Sequence, residues 1–201
     1  MTFRAAALAI TLLAVGVAQA AQTPGPFGLY FGMTAAQAIA MGAKRDSSIP
    51  NAYFLKTPPK GNGAFVSYIL FISPSHGLCT ATGTGRGINN DADGSRTRYA
   101  FAGLRATLTS IYGRPTSTED ALGAGSTYTS KNDWLIANLF GERHYTTSWD
   151  VSEHAKLPAG YGRIDLYVSP TDRSTGAVAL SYRTRDARCM DDIRNSDKTG
   201  L

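Results

Sequence analysis

Two cysteines, Cys79 and Cys189, lie 110 positions apart, and any bond between them ties the middle of the chain to its end. An even cysteine count reads as a disulfide where the compartment is oxidising. The N-terminus supplies that context. MTFRAAALAITLLAVGVAQA carries one cation, Arg4, then an apolar run from Ala5 to Ala18 and a small-x-small ending at Ala18-Gln19-Ala20. That is the form of a secretory signal, with cleavage expected after Ala20. The run is too short and too alanine-rich for a membrane span, and no cysteine follows the cut to carry a lipid. The expectation is a periplasmic or secreted protein with no membrane span or lipid anchor, bridged between Cys79 and Cys189. In the chain-entropy description, a loop of that size is stabilised by about 4 to 5 kcal/mol at most.

Residues 21 to 92 and 93 to 201 read as two similar units, each a helix followed by antiparallel strands. In the first, Thr34 and Gln37 form a capping box, Met33 staples onto Ala38, and Gly42 ends a helix over Ala35 to Met41. In the second, Phe101, Leu104, Leu108, Ile111 and Tyr112 make one apolar stripe over about 96–112, stopped by Gly113-Arg114-Pro115. Gly32 and Gly103, Met33 and Leu104, Ala35 and Ala106, and Gly42 and Gly113 all share one offset. Strands are expected at AYFLK (52–56), AFVSYILFIS (64–73) and GLCTAT (77–82). The second unit adds WLIANLF (134–140), RHYTTSW (143–149), RIDLYVS (163–169) and AVALSYR (177–183). The polar segment with Asp191 and Asp192 reads as a solvated tail.

GMTAAQAIAMG resembles the G-M-T-x-x-Q signature of the SmpA/OmlA-type envelope domains. Tandem helix-and-sheet units of this kind form the β-lactamase-inhibitor-protein fold. The resemblance implies an α+β architecture of two tandem helix-plus-antiparallel-sheet units and a rigid sheet that grips another protein. It transfers no contact residue.

No nucleophile elbow, phosphate loop or dinucleotide fingerprint is present. The formal charge of +5 is scattered among acids rather than gathered in a stripe, which disfavours nucleic acid. Asn89, Asp91 and Asp93 take positions 1, 3 and 5 of a calcium-loop pattern, but Ala100 stands where the bidentate glutamate belongs. The same residues suit a turn, with Asp93 or Ser95 as a helix cap. His76, three residues before Cys79, offers a base for a thiolate only if the thiol is free. A small enzyme or calcium module on Asp91 and Asp93, or on His76 and Cys79, is therefore the alternative reading.

The late strands alternate. Arg163, Asp165, Tyr167 and Arg183 share a mixed charged and aromatic face, to which Trp134, Tyr145 and Trp149 are candidate additions. That composition suits a protein-binding surface. The expectation is a non-enzymatic, cofactor-free module that binds a protein partner in the cell envelope, as an inhibitor, immunity protein or assembly factor.

Overall fold

The structure, a computed structural model, describes residues 25–151 and 155–196. The expected signal segment and the Glu153-His154 pair lie outside the described residues. One antiparallel sheet of eight strands organises the rest, in the order β1-β2-β3-β4-β8-β7-β6-β5. Its strands are β1 (Lys44–Arg45), β2 (Ala52–Leu55), β3 (Phe65–Ser73), β4 (Gly77–Gly85), β5 (Ser117–Leu122), β6 (Arg143–Asp150), β7 (Tyr161–Val168) and β8 (Val178–Thr184). The first four run consecutively from one edge and the last four consecutively from the other, so β4 and β8 meet in the middle.

Helices α1 (Ala35–Ala40), α2 (Ser95–Tyr112) and α3 (Trp134–Leu139) pack on one face of the sheet. The capping box of α1 forms as expected: Gln37 N–H donates to Thr34 Oγ1, and Thr34 N–H donates to Gln37 Oε1 across 2.9 Å. Met33 and Ala38 are fully buried beside it. Gly42 and Gly113 both follow their helices with positive φ, matching one shared-offset pair, whereas Gly32 precedes α1 and Gly103 lies inside α2. Alternation along β3 sends Tyr68, Leu70 and Ile72 into the core under these helices, and a bulge at Val66 turns Phe65 to the same side.

WLIANLF departs from expectation. It folds as α3 rather than as a strand, because a short continuous apolar run carries no period with which to choose. Trp134, Leu135, Ile136 and Ala137 are all buried, and Gly141, at φ 71°, ends the segment. Gly94 makes this packing possible. Its φ is 67°, and a Cβ there would sit 2.0 Å from the Trp134 ring.

The C-terminal segment also departs from expectation. It forms helix α4 (Ala187–Ser196), which packs on the opposite face of the sheet from the other three helices. Cys79 is an extra residue bulged between the Phe71–Thr80 and Ile72–Leu78 register pairs, and it bonds to Cys189 of α4. The bridge joins β4 to a helix that follows the last strand. Ile193, Met190 and Phe71 close a small apolar cluster around it.

Candidate functional site

Because every strand pairs antiparallel, residues in register share a face. One row crosses the whole sheet: Lys44, Phe54, Ile69, Thr82, Ser181, Asp165, Ser148 and Ser117. It lies on the face away from α1, α2 and α3. Flanking it are the rows Phe71-Thr80-Arg183-Arg163-Asp150 and Ser67-Thr84-Ala179-Tyr167-Thr146-Glu119. Helix α4 covers the Phe71 end, where the Thr80 hydroxyl reaches Met190 Sδ at 3.4 Å. The rest is open.

Asp165 is the centre of this face. Arg163 and Arg183 oppose each other across β7 and β8, an arrangement that repels unless an anion stands between them. Asp165 Oδ1 accepts from Arg163 Nε at 2.7 Å and from the Ser148 hydroxyl at 2.6 Å, and its Oδ2 accepts from Arg183 Nη2 at 3.2 Å. Arg163 also donates through Nη1 to Asp150 at 3.1 Å and through Nη2 to Ser148 Oγ at 3.0 Å. Burial works against the Arg163 charge. The hydrogen bond to Asp165 and the fields of Asp165 and Asp150 outweigh it and hold the guanidinium above its ordinary pKa.

A shallow depression of about 390 Å³ lies over this network, bounded by Thr146, Ser148, Arg163, Asp165, Tyr167, Ser181 and Arg183. Tyr167 flanks it. Burial raises its phenol above the usual value against an opposing hydrogen bond with Thr82, and the Asp165 charge adds to the rise. Two arginines and two aspartates balance, so the patch is polar but locally neutral. Further along the sheet, beyond β4, Phe54 and Val66 are 41% and 43% exposed and leave an apolar stretch next to Ile69.

The sequence-derived candidates divide between the two sides of the sheet. Arg163, Asp165, Tyr167 and Arg183 come together as expected. Trp134, Tyr145 and Trp149 do not join them. Trp149 is fully buried, and Trp134, on α3, stacks edge-on against Tyr145, which also meets Phe101 of α2. Tyr145 is adjacent in β6 to Thr146, which faces the open side, so alternation turns Tyr145 inward. Thr146 and Ser148 are not among the residues the sequence places on this face. Short hydroxyl residues carry no signal until register sets them beside Asp165.

Asp91 is 1% exposed, and its carboxylate is engaged by the start of α2. Oδ1 accepts from Arg96 N–H at 2.8 Å, while Oδ2 accepts from Thr97 N–H at 2.8 Å and from the Thr97 hydroxyl at 2.7 Å. Gly94 stands at the N-cap position and Ser95 is the first helical residue, while Asp91 takes the second and third amides of α2 and Asp93 the first. Asp93 binds the Ser95 amide and hydroxyl, and Asn89 Oδ1 accepts from Thr175. The bridge to Cys189 removes Cys79 as a nucleophile, which overturns the His76–Cys79 reading. His76 Nδ1 instead lies 3.6 Å from Asp186 Oδ2.

A cleft of about 720 Å³ lies between the start of α1 and the β3–β4 turn and includes Arg45, Asn51, Tyr53, Ser73 and His76. Its most buried polar side chain is committed to structure. The Ser73 hydroxyl donates to Asp192 of α4 and accepts from the amides of Ser75 and His76.

No family model, curated protein or solved structure matches this chain. Among the described residues no helix is long and apolar enough to cross a membrane.

Proposed function

We propose that this protein is an exported, non-enzymatic protein-binding module that presses the open face of its sheet onto a partner in the cell envelope. The observation that carries this reading is the Asp165-centred network, with exposed apolar Phe54 and Val66 further along the sheet. Interfaces that bind proteins combine desolvatable apolar area with oriented arginine and tyrosine groups, and this face offers both without a net charge. A rigid antiparallel sheet with a disulfide-held helix keeps those groups in place before the partner arrives, which lowers the entropy lost on binding. The disulfide also suits an oxidising compartment.

The layout of α1 followed by four strands, then α2 followed by four more, supports the tandem reading with units at 21–92 and 93–201. It also keeps the likeness to SmpA/OmlA-type and β-lactamase-inhibitor-protein folds as the proposed relationship. Inhibitor, immunity and assembly roles all use such a face.

Site-specific photocrosslinking in periplasmic extract tests the proposal. A crosslinking residue at Ser181 or Thr146 should trap a discrete protein adduct. The same residue at Tyr99, 85% exposed on α2, should not. No adduct from the face positions, or the same adduct from Tyr99, would sink it.

A further inference from the structure

The two arginines of the open face are held very differently. Arg163 engages Asp165, Asp150 and Ser148 through Nε, Nη1 and Nη2. Among the described residues Arg183 makes one hydrogen bond, from Nη2 to Asp165 at 3.2 Å. Its Nε is buried with no partner among the described residues, and its Nη1 makes no hydrogen bond there either. A guanidinium carries five donors, and a desolvated donor left unpaired is a cost that the free protein bears. The side chain is still 42% exposed at the edge of the depression.

We propose that Arg183 receives a carboxylate from the binding partner, so that the partner presents an aspartate, a glutamate or a chain terminus over this point of the sheet. The assignment rests on the protein-binding reading and names the chemistry of its contact. A carboxylate is the group whose two oxygens match a guanidinium fork, and the pairing is charge-assisted. The surroundings permit it. Asp165 keeps its bonds to Arg163 and Ser148 if Arg183 turns outward, so only one long hydrogen bond is exchanged. With Asp165 and Asp150 both hydrogen-bonded to Arg163, the unpaired N–H donors of Arg183 are the part of the network left to an incoming acceptor. Ser181, two residues before Arg183 along β8, lines the same depression. Arg163 has no such freedom, since moving it breaks three bonds.

Nitrogen-15 NMR of the arginine side chains reads this out on the mature protein. The probes are the blocked dipeptides acetyl-Glu-Glu-amide and acetyl-Gln-Gln-amide. The Arg183 Nε–H signal should move saturably with the acidic peptide and about tenfold more weakly with its amide counterpart, the scale of one charge-assisted pair. Arg163 should hold still. R183Q should abolish the difference, and R183K, which keeps the charge but not the fork, should lose most of it. A stationary Arg183 signal overturns the proposal. So does an equal response from exposed Arg105, which would mark general surface association, or undiminished binding in R183Q. If those results appear while Ser181 still crosslinks a partner, only the carboxylate assignment falls and the docking face stands.

Discussion

The indole N–H of Trp149 donates to the carbonyl of Gly113 across 2.9 Å, tying β6 to the exit of α2. The last carbonyls of a helix lack internal partners, and here a buried side chain supplies one. Trp149 is fully enclosed, so water has no ready route to replace it. Trp149→Phe should therefore destabilise the fold by about 2 to 4 kcal/mol, combining lost volume with an unmatched carbonyl. Urea unfolding followed by circular dichroism measures this. A loss below about 1 kcal/mol would mean that another donor reaches Gly113.

Asp165→Asn tests whether the open face is held by charge. The amide keeps the shape but leaves Arg163 and Arg183 opposed without the anion between them, so stability should fall by about 1 to 3 kcal/mol. The deficit should shrink in high salt, which screens the two exposed guanidinium groups. The double variant Asp165→Asn with Arg183→Gln should recover part of it. If the double variant is no better than the single one, arginine repulsion is not the cause.

How far this face was legible beforehand depends on what carried the information. RIDLYVS alternates strictly, so Arg163, Asp165 and Tyr167 could be placed together from sequence, as could the capping box of Thr34 and Gln37. WLIANLF could not be assigned by period. Its burial as a helix depends on Gly94, forty residues away, leaving room for Trp134. STEDAL contains a single large apolar residue, yet it forms edge strand β5, because an exposed edge needs only one paired side and few buried side chains. The segment around Cys189 looked like a polar tail because only Cys189, Met190 and Ile193 mark its buried side, and a covalent bond takes the place of a wider apolar stripe. Cross-strand partners such as Ser148 and Ser181 follow from register alone, which no single strand encodes.

The role of that bond in holding α4 is measurable. Beyond the bridge, α4 packs Met190 and Ile193 against Phe71, and its Asp192 is bound to Ser73. Replacing both cysteines by alanine should cost about 2 to 5 kcal/mol of global stability. Hydrogen exchange should show a more local effect first, with the amides of 187–196 losing protection while β4 and β8 keep theirs. Unchanged protection in α4 would show that packing alone fixes the helix.

Behind the open face, three tyrosines give the fold a defined alkaline limit. Tyr161 and Tyr182 are 7% and 8% exposed, their rings meet edge-on at 5.7 Å, and Tyr112 is coupled to both. Burial, reinforced by the neighbouring phenols, raises the pKa of Tyr161 and Tyr182 well above the ordinary tyrosine value of 10.0. Since the folded state holds these protons more tightly than the unfolded chain, stability is complete below the ordinary value. It falls as pH rises beyond it, because only the unfolded chain can ionise there. The part of the tyrosinate absorbance that comes from Tyr161 and Tyr182 should therefore rise together with loss of circular dichroism rather than ahead of it. Tyr182→Phe should move that loss to higher pH, since one group that favours the unfolded state in alkali is gone. Free titration of all the tyrosines in the folded protein near their ordinary value, with the sheet intact, would contradict the burial of this cluster.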